Sequence, residues 1–303
     1  MAKTSIEWCD HSVNPFRARN KETGATGHWC CKISAGCKGC YASRLQPRFG
    51  TLPFVAENRE KVELYLEERV LHEVLRRRKP TRYFWCDMTD MFLEDYPDEW
   101  IDQCFAAMAL TPWHTHMILT KRAERLLRYS DFRFDNREHA IGSWMRYYKP
   151  VDPGLPEMPL PNVRLGVSCE DQQHADERIP LLLQTPAAVR FVSAEPLLGP
   201  IDLYRYMPWT DISTPEFGTG LDLVIVGGES GPGARPMNIE WARDIVRQCR
   251  EANVACFMKQ MGTAWAREGQ RIMPAGQWDR KGGDPSEWPE DLRVRQFPEV
   301  RNA

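Results

Sequence analysis

The sequence contains no long apolar run and no excess of charge of either sign. No stretch of its 303 residues approaches the roughly 18 uninterrupted apolar residues of a membrane-spanning helix, so we expect no membrane partner. The first residues, Met1–Glu7, lack the apolar core of a secretory signal, which leads us to expect a cytoplasmic protein. The 40 Lys and Arg residues nearly balance the 42 Asp and Glu residues, which excludes a general attraction to polyanions.

Positive charge is nevertheless concentrated near the amino terminus. Residues 1–50 contain eight Lys and Arg residues against three acidic residues, a surplus of five positive charges. Such a surplus favours a site for a phosphate or carboxylate, and it makes a nucleic acid or nucleotide a candidate substrate. A solvated basic loop is the alternative explanation.

Disulfide bonds are not expected in a reducing cytoplasm, although the chain contains ten cysteines. Three of them, Cys30, Cys37 and Cys40, follow the spacing C-x6-C-x2-C, and Cys31 stands beside the first and could replace it. The separation of Cys37 and Cys40 allows two thiolates to bind one metal centre. The other cysteines after this motif are expected in the core, as is usual for free cysteine: Cys86, Cys104, Cys169, Cys249 and Cys256.

The three-cysteine motif is compatible with two kinds of metal group. On a 4Fe-4S cluster, three thiolates leave one iron without a protein ligand, which is the vacancy that S-adenosylmethionine fills in a radical enzyme. A structural zinc site is the alternative, with His28 or Cys9 as a fourth ligand, and unligated thiols are a third interpretation. We expect Gly36 and Gly39 to give the loop the backbone freedom for a tight wrap around the metal.

Short apolar runs alternate with segments of helical periodicity, a pattern that predicts an α/β fold. The spacing favours a partial or complete parallel (β/α) barrel of about six or seven βα units, with a doubly wound open sheet as the alternative. Strands are predicted at or shortly after Ile6–Trp8, and at Arg82–Cys86, Thr115–Leu119, Val163–Val167, Val189–Val192, Leu221–Val226 and Val254–Met258. Helices are predicted at Asn58–Arg78, Asp98–Leu110, Lys121–Tyr129, Gln172–Leu183 and Ile239–Glu251.

The predicted barrel accounts for residues 1–262, with the cysteine loop at 28–41. Segments rich in proline, glycine and aromatic residues predict insertions at 131–161 and 204–220. Residues 263–303 show no clear periodicity, and we expect an irregular extension packed on the barrel.

Polar residues follow most of the predicted strands. Because the carboxyl ends of the strands form the active-site face of a (β/α) barrel, we expect these residues to line one pocket and contact the cofactor. A helix-capping role is the alternative, since Ser and Asp often begin helices. The expected cofactor-binding residues are Asp87, Asp90, Lys121, Arg122, Ser168, Glu195, Gly227, Gly228 and Glu229.

Eight short sequence blocks occur in a specific order between roughly residues 5 and 262. They are Ser5–Trp8, Asn14–Pro15, Lys32–Ala42, Asp87–Phe92, Leu119–Arg122, Leu165–Ser168, Ser193–Pro196 and Val226–Gly231. Together they resemble a family of phage-associated, radical-SAM-like proteins of unknown function, described as three-Cys-motif proteins. The resemblance implies a radical-SAM-type part-barrel and a three-Cys-motif partner protein, and a distant similarity to spore photoproduct lyase, which acts on DNA.

The resemblance also implies roles for individual residues. The chain departs from the general radical-SAM pattern in two ways. Its cysteines follow the spacing C-x6-C-x2-C instead of the common CxxxCxxC. Its Gly227-Gly228-Glu229 follows a late strand, whereas the GGE motif that holds the cofactor amino group normally follows the second strand. The amino-group role therefore falls to Asp87 and Asp90, which follow the second predicted strand. We expect an enzyme that cleaves S-adenosylmethionine to a 5'-deoxyadenosyl radical; the alternative is a non-enzymatic binding module stabilised by zinc or a cluster.

Overall fold

The computed structural model describes residues 4–130, 137–150, 153–208, 220–270 and 279–298. Parts of the predicted insertions at 131–161 and 204–220, and of the extension at 263–303, lie outside these described residues. The strands are β1 (His11–Val13), β2 (Phe16–Asn20), β3 (Thr26–Gly27), β4 (Val62–Leu66), β5 (Arg82–Trp85), β6 (Thr115–Thr120), β7 (Val163–Ser168), β8 (Val189–Ala194), β9 (Leu223–Gly227) and β10 (Ala255–Gln260).

Most strands of the larger sheet are followed by helices, as expected of an α/β fold. The α-helices are α1 (Tyr41–Leu45), α2 (Glu68–Arg76), α3 (Asp98–Ala109), α4 (Ala123–Tyr129), α5 (Arg137–Tyr148), α6 (Gln172–Gln184), α7 (Ile239–Glu251) and α8 (Thr263–Gln270). Short 3-10 helices occur at Ala35–Cys37, Gln46–Phe49, Ala56–Lys61, Tyr204–Tyr206, Pro285–Glu287 and Glu290–Leu292. None of the helices in the described ranges combines the length and the apolar character needed to span a lipid bilayer.

The chain divides into two compact units that interleave in sequence. Unit 1 contains Met1–Ser34, Cys40–Leu165 and Gln184–Ala188, and unit 2 contains Ala35–Gly39, Gly166–Leu183 and Val189–Ala303. The division passes through β7 and twice through the cysteine loop.

Unit 1 contains two sheets. In the larger one, β5 lies between β1 and β6, both parallel to it, and the order continues to the first half of β7. The smaller sheet is antiparallel, with β2 between β3 and β4. Phe16, Ala18 and Asn20 of β2 are buried while Arg17 and Arg19 between them are more exposed, the alternation of a strand with one face in the core.

Unit 2 contains the second half of β7 followed in the sheet order by β8, β9 and β10, with β9 parallel to β8 and β10. All five residues of β9 are buried, as is typical of a strand covered on both faces. Helix α7 buries Ala242, Ile245, Val246 and Cys249, which recur at helical spacing. The Asn238 side chain caps its amino terminus by accepting a hydrogen bond from the Glu240 backbone N–H.

The predicted α/β fold with parallel strands is confirmed, and each predicted strand is present within a few residues. The predicted helix at Asn58–Arg78 is wrong in its first half, where a 3-10 helix precedes strand β4. Residues Val62–Leu66 are extended because they pair with β2, which lies more than 40 residues earlier, and this pairing overrides local helix propensity. The extension after residue 262 also begins with an ordered helix, α8.

Candidate functional site

The cysteines of the chain fall into two groups by burial. Cys30, Cys31, Cys37 and Cys40 are half-buried, and all four lie in the loop at 28–41. The remaining six are buried, in agreement with core packing: Cys9, Cys86, Cys104, Cys169, Cys249 and Cys256. The accessible thiols of the chain are therefore concentrated in one loop, which we call the cysteine loop.

In unit 1, the backbone on both sides of Cys30 is held by side chains that follow strand β5 or β6. The Trp29 carbonyl accepts hydrogen bonds from the Thr89 hydroxyl and, at 2.9 Å, from the Tyr96 hydroxyl. The Cys31 carbonyl accepts one from Arg122 Nη2 at 3.0 Å. Two peptide groups, one before Cys30 and one after Cys31, are thus fixed by groups that follow neighbouring parallel strands.

Asp90 supports Arg122 in this position. Its Oδ1 accepts hydrogen bonds from the Phe92 N–H at 3.0 Å and the Thr120 hydroxyl at 2.7 Å. Its Oδ2 accepts from the Lys121 N–H at 3.0 Å and from Arg122 Nη1 at 2.9 Å. A carboxylate offers about four acceptor positions, so the protein itself fills those of Asp90. Binding a cofactor amino group there, as the sequence predicts, would require displacing one of these donors.

Asp87 anchors the other end of the cysteine loop. The hydroxyl of Tyr41, the residue after Cys40, lies 2.6 Å from the Asp87 carbonyl oxygen and 3.2 Å from its Oδ2. Asn14 Nδ2 donates to Asp87 Oδ1 at 2.5 Å, and Asn14 Oδ1 accepts from the Met88 N–H at 3.1 Å. Burial raises the pKa of Asp87, against the lowering effect of these hydrogen bonds. The carboxyl group therefore serves first as a tether for the backbone beside Cys40.

In unit 2, the middle of the cysteine loop is held by Glu170, which follows β7. The Gly36 N–H donates to Glu170 Oε1 at 3.1 Å. Glu170 is completely buried and pairs through Oε2 with Arg178 Nη1 of α6 at 2.9 Å. Arg178 also donates to the Ser168 carbonyl at 2.6 Å, so the predicted site residue Ser168 contributes its backbone here.

Glu229, which follows β9, holds the loop through Arg235. The Arg235 Nε and backbone N–H donate to Glu229 Oε2 at 2.9 and 2.8 Å, and Nη2 donates to Oε1 at 2.7 Å. Arg235 Nη1 reaches the Ala35 carbonyl at 3.2 Å. Because Glu229 is nearly buried and bound to Arg235, it acts as part of the loop support rather than as an open cofactor contact.

The two glycines of the motif are needed for space. A Cβ atom at Gly36 would lie 2.5 Å from Glu170 Oε1, and one at Gly39 would overlap Glu229 Oε1. Neither glycine is among the positive-φ residues of the chain. The glycines therefore serve the tight loop through the close approach of two carboxylates and not through a left-handed backbone.

Glu195, Gly227 and Gly228 form a separate cluster in unit 2. Glu195 Oε1 lies 2.5 Å from Lys259 Nζ and 3.2 Å from Gln260 Nε2. Gly228 donates through N–H to the Gln260 carbonyl at 2.9 Å, and its carbonyl accepts from Gln260 Nε2 at 2.9 Å. A Cβ at Gly228 would overlap the Met261 carbonyl, so this glycine permits close packing at the end of β10.

The two candidates for a fourth zinc ligand are His28, whose ring nitrogens have other partners, and Cys9, which is distant in the fold. His28 Nδ1 lies 3.1 Å from the Phe16 carbonyl and Nε2 lies 3.0 Å from Arg17 Nη1, so both ring nitrogens have partners. Burial, and then Arg17, lowers the pKa of His28 to about 4, which keeps the ring neutral. Cys9 precedes β1, at the opposite end of that strand from the cysteine loop.

Among the described residues, no group of three or more His, Cys, Asp and Glu side chains is close enough to hold a metal ion. The donor set that remains in the loop is made of thiols, which as thiolates select iron–sulfur clusters or zinc over harder metals. The Cys30 Sγ lies 3.6 Å from the Cys31 carbonyl oxygen. For Cys31 itself, burial and then Asp95 raise the pKa of the thiol, which disfavours the ligating thiolate at this position.

The sequence identified the strand-end residues but not all of their partners. Arg178 and Tyr96 were missed, because each lies in a different element from the backbone group or carboxylate it binds. Glu170 is absent from the expected binding set, although it lies only two residues after Ser168. A signal for its role exists in hindsight: a glutamate directly after a fully buried parallel strand requires a cation, and α6 supplies Arg178.

Comparison with curated proteins gave no match, and comparison with solved structures gave none either. The family model described as "Protein of unknown function (DUF5131)" matches residues 3–286. This range contains the cysteine loop, the three ion pairs that support it and every described strand of the two sheets. The chain therefore belongs to the DUF5131 family.

Proposed function

We propose that this chain is a cytoplasmic radical S-adenosylmethionine enzyme with a (β/α) barrel or part-barrel of the radical-SAM type. Cys30, Cys37 and Cys40 would hold a 4Fe-4S cluster. When bound, such a cluster supplies the electron that cleaves S-adenosylmethionine and releases a 5'-deoxyadenosyl radical. The family resemblance further suggests a three-Cys-motif protein as a partner.

The observation that carries the proposal is the way the cysteine loop is held. In each unit, polar side chains that follow parallel strands bind the backbone of the loop, whereas the four thiols stay half-buried. A functional metal centre requires ligands fixed by their surroundings, because loosely placed ligands lose affinity and geometry. A loop with a purely structural role has no need for supports that leave its thiols accessible.

The protein residues have positioning roles in this proposal. Arg122, held by Asp90, orients the peptide after Cys31, and Asp87 orients the residue after Cys40. Glu170 and Arg235 orient the turn that contains Cys37. Removing any of these groups would keep the three cysteines in the chain but hold the backbone that positions them less firmly.

The pair of Glu195 and Lys259 is the strongest candidate for direct contact with the cofactor. The two side chains are 16% and 15% exposed, and they make no contact with the cysteine loop among the described hydrogen bonds. A carboxylate suits the ribose hydroxyls of S-adenosylmethionine and an ammonium suits its carboxylate. Lys121, which directly follows β6 in unit 1, stays an expected cofactor contact.

Anaerobic purification with iron, sulfide and zinc analysis tests the proposal. We expect about four irons and four sulfides per chain after reconstitution, and formation of 5'-deoxyadenosine after reduction with dithionite in the presence of S-adenosylmethionine. Cys37→Ala should lose the cluster and the cleavage together. Cys31→Ala is the matched control and should keep both.

Two results would change the assignment. Loss of the cluster in Cys31→Ala, with retention in Cys30→Ala, would move the first ligand to Cys31. Stoichiometric zinc, without iron and without cleavage, would instead indicate a non-enzymatic binding module.

A further inference from the structure

The segment that follows the cysteine loop presents a basic and apolar surface in unit 1. Tyr41, Phe49 and Val55 are 42%, 48% and 41% exposed, and Arg44 and Arg48 between them are exposed as well. We call these five residues the α1 surface. Six large apolar side chains are exposed to this degree among the described residues, and three of them belong to the α1 surface.

The outward orientation of these residues follows from the packing of the segment. Ala42, Ser43 and Gln46 are buried, so they define the inner side of α1 and of the 3-10 helix that follows. The segment then folds back on itself, because the Thr51 N–H donates to the Gln46 carbonyl at 3.1 Å. The Phe54 N–H likewise points to the Ser43 hydroxyl at 3.4 Å. The exposed side chains therefore all belong to one compact stretch of chain.

The charge of this stretch is of one sign. No aspartate or glutamate occurs between Glu22 and Glu57, whereas Lys32, Lys38, Arg44 and Arg48 all fall in this interval. The formal charge of the whole chain is −2, so the positive charge is a local feature. Asp87, the carboxyl group in contact with Tyr41, is also hydrogen-bonded to Asn14.

Within the proposed radical-SAM function, on which this step rests, we infer that the α1 surface binds single-stranded nucleic acid as the substrate. Arg44 and Arg48 contact phosphates, and Tyr41 and Phe49 stack on bases. The combination of exposed aromatic rings with cations is the usual platform for single strands, whose unpaired bases can stack. An acidic protein would pair with the arginines but has no requirement for the two aromatic rings.

The position of Tyr41 links this surface to the chemistry. Its ring is fixed through the hydroxyl on Asp87, and the residue is adjacent in sequence to the proposed cluster ligand Cys40. A base stacked on Tyr41 is therefore held next to the cysteine loop. Ile33, in the cysteine loop itself, is a further exposed apolar side chain, at 48%.

Fluorescence anisotropy with a labelled oligothymidine of about 20 nucleotides, longer than a single-stranded site of roughly 4–16 nucleotides, tests the inference. Phe49→Ala should weaken binding roughly 5- to 150-fold, the loss expected for one stacked base. Arg48→Ala should lower the slope of log affinity against log salt by about 0.7 for its phosphate. The double variant Arg146→Ala, Tyr147→Ala removes an exposed arginine and an exposed tyrosine of α5, and as the matched control it should bind like the parent.

The measurement is made on both iron-free and reconstituted protein, which separates it from the cleavage assay. Binding that depends on Phe49 but occurs without any cleavage of S-adenosylmethionine would refute the proposed function and leave the surface assignment standing. The assignment itself is overturned by absence of binding at low salt. It is also overturned if the Arg146→Ala, Tyr147→Ala control weakens binding as much as Phe49→Ala does. A further contrary result is displacement of the oligonucleotide by polyglutamate together with unchanged binding in Phe49→Ala. Circular dichroism melting of each variant checks that these exposed substitutions leave the fold intact.

Discussion

Gly39 shows how a single residue can determine whether the cysteine loop closes. It lies between two proposed ligands, Cys37 and Cys40, and its missing side chain provides the space occupied by the Glu229 carboxylate. Gly39→Ala should displace Glu229 or the loop at a cost of about 1–3 kcal/mol, the usual penalty for overpacking. We therefore expect lower iron retention after reconstitution and a lower midpoint in urea unfolding.

The matched control for this change is Gly199→Ala. A Cβ at Gly199 would lie 3.4 Å from the nearest atom, Asp171 Cβ, which is an ordinary contact. Iron retention equal to that of the parent in Gly39→Ala would show that the Glu229 contact does not position the loop.

Buried histidine makes stability depend on pH. His116 accepts a hydrogen bond from Trp85 Nε1 through Nδ1 at 3.0 Å, and its Nε2 lies 3.1 Å from the Thr111 hydroxyl. Because the Thr111 hydroxyl donates to the Ala107 carbonyl at 2.7 Å, Nε2 must carry the proton of the neutral ring. Burial, and then His114, lowers the pKa of His116 to about 3.

A depressed histidine pKa stabilises the fold at high pH. The contribution is complete above about pH 6.5, the value for an unfolded histidine, and it is lost as the pH falls toward about 3. In this window the slope should reach about 1.4 kcal/mol per pH unit for this residue. Urea unfolding across the window should therefore show a shallower pH dependence for His116→Gln than for the parent. His139→Gln, which alters a 63% exposed histidine, serves as the control, and an unchanged slope in His116→Gln would contradict the assignment.

At the scale of elements, helix α6 contributes to a buried ion pair, whereas helix α7 carries an exposed one. The pair of Glu170 and Arg178 is buried, with side chains 0% and 7% exposed, and it lies beneath Gly36. The pair of Arg247 and Glu251 on α7 is 53% and 47% exposed. Breaking a buried pair leaves one charge without compensation, whereas an exposed pair contributes little.

Glu170→Gln should therefore lower the free energy of unfolding by about 3–5 kcal/mol, because Arg178 would keep its charge in a buried position. Glu251→Gln is the matched control on the surface and should leave the free energy of unfolding nearly unchanged. Both values are measured by urea denaturation followed by circular dichroism. Equal losses for the two variants would mean that Arg178 finds a solvated alternative when Glu170 is neutralised.

The elements also show what the sequence can predict. Helix α7 was predicted with both ends correct, since an Asn cap, a helical apolar period and a following turn all act locally. Strand β4 was predicted as helix, because its extended form depends on pairing with β2 at the other side of the cysteine loop. Glu63 and Leu64 favour a helix locally, and pairing with a distant strand overrides that preference.

At the scale of the whole molecule, the candidate site likewise combines features that local sequence predicts with features that depend on distant partners. The alternation of apolar strands and amphipathic helices predicted the fold class, and the cysteine spacing led to the candidate site in the cysteine loop. The sequence could not show that Asp90 and Glu229 face the supports of the loop rather than a ligand. Those assignments depend on contacts such as Arg235 to Ala35, whose partners lie 200 residues apart.

The long range of these contacts determines the order in which the protein can be assembled. The cysteines are translated first, but Gly36 must wait for Glu170, 134 residues later, and Ala35 must wait for Arg235. At a synthesis rate of about 5–20 residues per second, the thiols emerge from the ribosome many seconds before their supports exist. Under the proposed function, iron delivered before these supports are synthesised would meet an unformed loop, so we expect cluster insertion to follow them and the nascent thiols to need protection from oxidation until then.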